Sequence, residues 1–163
     1  MLNLHPSQRG YFAGALFDAM EKDDSIYLIL VDLGYKTFDQ HFAKFPTRCI
    51  NTGASEQAAL GIAVGLAQSG KKPFVYTITS FFLRAAETIS LYLEHENANV
   101  CLVGAGRNDD YLHDGYTHFA HKAQEFITNM GIESFYPIEK EEVPEIVKTI
   151  LGRKGPTFIS LKR

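Results

Sequence analysis

The run Ile26-Tyr27-Leu28-Ile29-Leu30-Val31 constrains the fold more than any other stretch of the sequence. All of its side chains are apolar or aromatic, and a continuous run of this kind is typical of a parallel strand that is covered on both faces. Similar β-rich runs alternate along the chain with segments of helical periodicity, a pattern that favours helices on both faces of a parallel sheet. We therefore predict an α/β fold with three layers, αβα, around a mostly parallel sheet of about six strands.

The predicted elements are assigned from periodicity and from the turn residues between them. The strands are predicted at 26–31, 47–51, 73–78, 100–104, 133–136 and 157–161, and the helices at 7–22, 38–45, 55–69, 81–95, 119–130 and 141–151.

The composition fits one domain that spans residues 1–163, because 45% of the residues are hydrophobic and can form a sizeable core. The net charge of −3 comes from interspersed signs, so we expect neither nucleic acid nor a membrane surface as a partner. Cys49 and Cys101 lie in apolar runs, where a thiol behaves as a small buried hydrophobe. The sequence shows neither a long apolar run nor a cleavable leader, so we expect a cytoplasmic protein.

Polar segments follow four of the predicted strands. They are Asp32, the turn from Gly53 to Glu56, the stretch 79–82, and the long loop from Arg107. Because the carboxyl ends of parallel strands meet at one edge of a sheet, where ligands gather, we expect these segments to lie together. Long loops at strand ends also tend to be functional.

The turn before the third predicted helix places a carboxyl group at the start of that helix. Gly53 can adopt backbone angles that other residues avoid, and Ser55 is a good N-cap. Glu56 then falls in the first turn, beside a run of small residues that packs closely against a sheet. A first-turn glutamate can also simply complement the helix dipole, which contributes roughly 0.3–1 kcal/mol.

Four motifs occur in a fixed order along the chain. They are Phe45-Pro46-Thr47-Arg48, Gly53-Ala54-Ser55-Glu56-Gln57 with Gly65-Leu66-Ala67, Ser80-Phe81-Phe82-Leu83-Arg84-Ala85, and Asp114-Gly115-Tyr116-Thr117-His118. In this order they resemble the pyrimidine-binding domain of thiamine-diphosphate enzymes of the transketolase and 1-deoxyxylulose-5-phosphate synthase group. The resemblance covers nearly the whole chain.

The resemblance implies a catalytic and cofactor-binding role for Glu56. A carboxylic acid that is hydrogen-bonded to N1′ of the aminopyrimidine favours its imino form, which then deprotonates C2 of the thiazolium. A carboxyl that must donate a proton at neutral pH requires apolar surroundings. The small, apolar helix that follows Glu56 is compatible with this requirement.

The resemblance also implies roles for residues of the two later motifs. Phe81, or alternatively Phe82, matches the aromatic that packs on the pyrimidine ring. Arg84 matches a position that contacts phosphorylated sugars in the synthase branch. His118 matches a histidine near the reacting carbon and the substrate hydroxyls, and Asp114 lies in the same loop. Each of these residues also fits an ordinary structural role, as a core aromatic, a surface arginine or an exposed loop residue.

Two features limit what can be transferred from the family. His121-Lys122-Ala123 stands where the family often has a carboxylate, and Ile78 replaces an aromatic, so the substrate cannot be copied from either branch. His113, His118 and His121 invite a metal-site interpretation, but the spacing of carboxylates and histidines typical of zinc is missing, and we expect no metal site.

The sequence contains no Gly-Asp-Gly motif followed by Asn, the family's device for magnesium and the diphosphate. The resemblance therefore implies the pyrimidine-binding subunit of a split, transketolase-like transferase that is active only with a diphosphate-binding partner subunit in a hetero-oligomer. It would transfer a ketol or acyl unit between sugar or 2-oxo acid substrates. The alternatives are a non-catalytic or regulatory binding module, and a flavodoxin-like or receiver-like module, although only Asp32 stands where a receiver has an acidic cluster.

Overall fold

The computed structural model describes residues 5–163 and contains a six-stranded sheet. Its strands are β1 Ile26–Leu30, β2 Cys49–Asn51, β3 Lys72–Ile78, β4 Cys101–Ala105, β5 Glu133–Phe135 and β6 Thr157–Leu161. The strand order is β2-β1-β3-β4-β6-β5, and every neighbouring pair is parallel. The predicted α/β fold with a parallel sheet is confirmed. Residues 1–4 of the predicted domain lie outside the described residues.

Helices cover both faces of the sheet. They are α1 Gln8–Met20, α2 Asp39–Lys44, α3 Glu56–Gln68, α4 Ala86–Thr88, α5 His121–Asn129 and α6 Val143–Gly152. Successive residues of β1 and β3 point to opposite faces, so Leu28 and Phe74 belong to the core under α1 and α6, whereas Ile29 and Val75 belong to the core under α3 and α5. This double burial explains why the strands are continuously apolar.

The segment after β3, residues 79–95, differs from its prediction as one regular helix. It consists of a 3₁₀ helix at Thr79–Ala85, the single turn of α4, and a π-helix at Ile89–His95. Two hydroxyl groups fix its start, because Thr79 Oγ1 donates to the carbonyl of Gly106 at 2.5 Å and Ser80 Oγ donates to the carbonyl of Thr117 at 2.9 Å. These hydrogen bonds to the next loop determine which side chains of the segment point inward, and this cannot be read from the local hydrophobic periodicity.

The other predicted elements are confirmed, with ends that shift by a few residues. A 3₁₀ turn at Lys140–Glu142 precedes α6, whose first turn contains Pro144, a residue suited to a helix start. Cys49 and Cys101 are buried, as predicted, and both are free thiols; burial raises their pKa values to about 11 and about 12. Within residues 5–163, no helix has the length and apolar character needed to cross a membrane.

Candidate active site

The carboxyl ends of β2, β1, β3 and β4 lie side by side at one edge of the sheet, since these strands are consecutive and parallel. The four polar segments singled out in the sequence each follow one of these strands. Their predicted placement along one edge is therefore confirmed. This edge is where open parallel sheets generally bind ligands.

The turn between β2 and α3 presents Glu56 at the first position of the helix. Gly53 has φ +66°, in the left-handed region that favours glycine, and its amide donates to Oδ1 of Asn51 at 3.0 Å. Ser55 occupies the predicted N-cap position, and its side chain makes no capping hydrogen bond. Glu56 is only 4% exposed, and its carboxyl group is thus held at the buried side of the turn.

Arg84 contacts both groups that were predicted to hold a cofactor ring. Its Nη1 donates to Oε1 of Glu56 at 2.8 Å, and its guanidinium carbon lies 3.9 Å from the centre of the Phe81 ring. The Arg84 side chain is itself 52% exposed. The guanidinium therefore bridges the buried carboxylate and the aromatic ring, whereas its predicted contact with substrate remains a prediction.

The two adjacent phenylalanines have different environments. Phe82 is 0% exposed and packs edge-on against Phe158 in the core under α3 and α5, with ring centres 6.4 Å apart. The structure therefore contradicts a cofactor contact for Phe82, because the 3₁₀ turn points its ring inward. Phe81 is half-buried and lies edge-on to His118, with ring centres 5.0 Å apart. Phe81 is the aromatic of this pair that faces the site.

The loop after β4 carries the predicted catalytic residues Asp114 and His118. The structure brings His118 to Phe81, and Nδ1 of His118 lies 3.0 Å from Oγ1 of Thr117. Asp114 is exposed and has its carboxylate 3.3 Å from Nε2 of His113. Thus His118 joins the group around Glu56, while Asp114 lies among more exposed side chains. The catalytic roles of both residues remain predictions.

The same loop is fastened to the body of the protein near its start. Arg107 is buried, and its guanidinium donates to the carbonyls of Pro137, at 2.8 Å, and Ser160. Burial lowers the pKa of Arg107 from its usual value. The amide of Asn108 donates to Oε1 of Gln124 at 3.0 Å. These contacts, together with the Ser80 bond to Thr117, hold the loop in one position.

Tyr111 contacts two arginines that the sequence analysis did not identify as site residues. Nη1 of Arg9 donates to the Tyr111 hydroxyl at 3.0 Å, and the guanidinium of Arg163 lies 5.3 Å from the ring centre. The ring also lies 6.3 Å from that of His118. Gly106 has φ +85°, and a Cβ there would collide with the Tyr111 ring. Two guanidinium groups thus contact Tyr111, although no local motif marks them.

Two cavities open along this edge. One, of about 710 Å³, is bordered by Arg9, Asp32, Asn51 and the buried Tyr76, whose pKa is raised by burial. The other, of about 440 Å³, lies between the 3₁₀ helix 79–85 and residues 116–122 and includes Phe81 and Arg84 in its walls. The first cavity therefore adjoins Arg9, and the second adjoins Phe81 and Arg84.

Two of the three loop histidines have separate side-chain partners. Oδ1 of Asp109 lies 2.9 Å from Nε2 of His121, and Nη1 of Arg163 lies 2.9 Å from Nε2 of His113. Across residues 5–163, no three His, Cys, Asp or Glu side chains are grouped as metal ligands would be.

Comparisons with known proteins identify the family of this chain. The family model of the transketolase pyrimidine-binding domain matches residues 5–163. The chain is 28% identical over 158 residues to the 6-deoxy-6-sulfo-D-fructose transketolase subunit SqwH of Clostridium sp. (strain MSTE9), covering 95% of this chain and 49% of the relative. It is 27% identical to an apulose-4-phosphate transketolase subunit of Phocaeicola vulgatus, covering 95% of this chain and 51% of the relative.

A solved structure, described as a split gene transketolase in an inactive beta4 tetramer, superposes with a TM-score of 0.83 at 28% identity and covers 96% of this chain and 52% of that chain. This chain spans about half the length of the curated relatives that it matches. Since the family match extends over residues 5–163, the chain belongs to the family of transketolase pyrimidine-binding domains.

Proposed function

We propose that this chain binds the aminopyrimidine half of thiamine diphosphate and acts as the pyrimidine-binding subunit of a split, transketolase-like transferase. The observation that carries the proposal is the buried Glu56 at the start of α3, beside the half-buried ring of Phe81 at the carboxyl edge of the sheet. The names of two relatives, both transketolase subunits, support it.

The residues fit the chemical needs of an aminopyrimidine. Such a ring requires a hydrogen-bonding partner for its nitrogen and a flat apolar face, which Glu56 and Phe81 offer side by side. Bound thiamine diphosphate supplies the carbon centre at which carbon–carbon bonds are made and broken. In this proposal Glu56 holds a proton at its carboxyl oxygen, Phe81 sets the plane of the ring, and His118 moves a proton near the substrate at neutral pH.

We place the binding of the diphosphate and of magnesium on a partner subunit, in keeping with the relatives that are named as transketolase subunits. Exposed apolar side chains on α3 and on the segment after β3 support this assignment. They are Ile62 on α3 and Leu83, Leu91 and Tyr92 on that segment. Apolar surfaces of this kind are typical of protein interfaces. The assembly would be a hetero-oligomer, such as two copies of each of two chains.

We propose a sugar or 2-oxo acid substrate that carries an anionic group, with transfer of a ketol or acyl unit. The guanidinium groups of Arg9 and Arg163, which contact the hydroxyl and the ring of Tyr111, support an anion. A cytoplasmic location is supported by two unpaired, buried thiols, which suit a reducing compartment.

The test begins with copurification of the native chain and identification of its stoichiometric partner. We expect a partner with Gly-Asp-Gly followed by Asn, and turnover once thiamine diphosphate and magnesium are added. Glu56→Gln in the assembled enzyme should lower turnover by at least about 100-fold, since the proton donor is lost. Glu133→Gln, which alters an exposed ion pair, is the matched control. Undiminished turnover of Glu56→Gln would contradict the catalytic role, and an unrelated partner would favour the non-catalytic binding module.

A further inference from the structure

Arg84 makes two contacts that resemble those of a bound ligand. Its guanidinium is flat, carries N–H donors, bonds to Oε1 of Glu56 at 2.8 Å and lies 3.9 Å from the centre of the Phe81 ring. A hydrogen bond to Glu56 and a face on Phe81 are also the two contacts that we assign to the aminopyrimidine. This inference therefore rests on the proposed function of the site.

We propose that Arg84 is an internal substitute for the cofactor ring. In the cofactor-free chain its guanidinium occupies the position of the pyrimidine, and it must move away before the cofactor binds. An aminopyrimidine stacked on this face of Phe81 would need the space that the guanidinium fills, 3.9 Å from the ring centre, while the guanidinium also occupies Oε1 of Glu56. Binding of the cofactor and pairing of Arg84 with Glu56 therefore exclude each other.

The burial of the two partners explains why such a substitute is needed and why it can leave. Glu56 is 4% exposed, and a buried carboxylate without a partner is strongly unfavourable. Arg84 keeps that carboxylate paired until the cofactor arrives. Its own side chain is 52% exposed, so the guanidinium can move into solvent without passing through the core.

The surroundings of Arg84 provide space for this movement. Arg84 lies in the wall of the 440 Å³ cavity, together with the exposed Leu83 and Tyr116. A rotation about its side-chain bonds carries the guanidinium from Phe81 into this cavity or into solvent. The backbone of the 3₁₀ helix stays where the Thr79 and Ser80 hydroxyl groups hold it.

The test measures thiamine binding to the 163-residue chain by NMR titration, with thiamine itself as the probe. Arg84→Met keeps the apolar stem and removes the guanidinium. We expect it to bind thiamine about tenfold more tightly than the unmodified chain, because apparent affinity falls with the fraction of molecules whose site is free. Arg153→Met is the matched control, since Arg153 is also 52% exposed and pairs with Glu133 on another surface. Its thiamine affinity should not change.

A second readout follows Arg84 directly. The unmodified chain should show nuclear Overhauser contacts between the Arg84 side chain and the Phe81 ring, and thiamine should remove them. Equal or weaker thiamine binding by Arg84→Met, including no binding by either protein, would overturn the proposal, because a vacated site should bind the probe better. Glu56→Gln separates the two hypotheses. Loss of binding in that variant without a gain in Arg84→Met rejects only the Arg84 proposal, whereas unchanged binding in Glu56→Gln rejects the proposed pyrimidine site.

Discussion

His41, on α2, should make the stability of this protein sensitive to mild acid. Its imidazole is 0% exposed, with the rings of Phe17 and Phe38 edge-on at 5.2 and 5.1 Å. Nε2 lies 3.0 Å from the carbonyl of Ala13, so this nitrogen carries the proton and donates it, whereas Nδ1 has no hydrogen-bond partner among residues 5–163. A second proton would place an unpaired N–H and a charge among aromatic rings.

The size of the effect follows from the pKa of His41, which burial lowers from 6.5 to about 4. The unfolded chain takes up the proton first as the pH falls, so the folded state loses stability between pH 6.5 and about 4. Each pH unit in this window costs about 1.4 kcal/mol, which gives a loss of about 3 kcal/mol. Such a loss is a large share of the roughly 5–15 kcal/mol that stabilises a typical domain.

Urea denaturation at several pH values between 7 and 4 measures this loss. The comparison is with His41→Gln, whose amide can still donate to the Ala13 carbonyl, and the matched control is His121→Gln at an exposed position. Between pH 7 and 4, the free energy of unfolding of His41→Gln should fall by about 3 kcal/mol less than that of the unmodified protein. The curve of free energy against pH for His121→Gln should be parallel to that of the unmodified protein. Parallel curves for all three proteins would refute the reasoning. If His41→Gln does not fold, the pKa of His41 can be measured by NMR in the unmodified protein, and a value near 6.5 would also refute the reasoning.

Three further substitutions test the packing that holds the site. Phe82→Ala should lower the free energy of unfolding by about 3–5 kcal/mol. Phe81→Ala should lower it by no more than about 1 kcal/mol, yet it should weaken thiamine binding by the assembled enzyme. Equal losses of stability in the two variants would contradict the assigned orientations. Arg107→Met leaves buried carbonyls unpaired and should cost about 2–4 kcal/mol in urea denaturation, so an unchanged midpoint would argue against the anchor. Gly34→Ala should cost at least about 1 kcal/mol by the same assay, because Gly34 has φ +101° and a Cβ would press on the Phe38 ring; a stabilised variant would disprove this.

The sheet could be predicted from the sequence because burial on both faces leaves a local mark. Leu28 and Ile29 belong to different cores, and no polar residue separates them. The position of Glu56 could also be predicted, since a glycine turn and a run of small residues surround it. By contrast, the choice between Phe81 and Phe82 depends on hydroxyl groups that bond to a distant loop, and helical periodicity contains no such information.

The contacts of the arginines could not be predicted for a related reason. Arg84 and Glu56 are 28 residues apart, and Arg9 and Tyr111 are 102 residues apart. Each pair meets because strand order brings separate chain segments to the same edge of the sheet. Charge alone favours many such pairs, and only the register and order of the strands select the ones that form.

The fastening of the loop that begins at Arg107 has a consequence for the speed of binding. A loop that folds over a ligand must lose conformational freedom at each encounter, which slows association and weakens affinity. Here Arg107, Asn108 and Thr117 are already bonded to the body of the protein, so that entropy is lost when the chain folds. The loop is therefore already ordered when a ligand binds. The rate of binding should be limited by subunit assembly and by the rotation of single side chains, not by ordering of this loop.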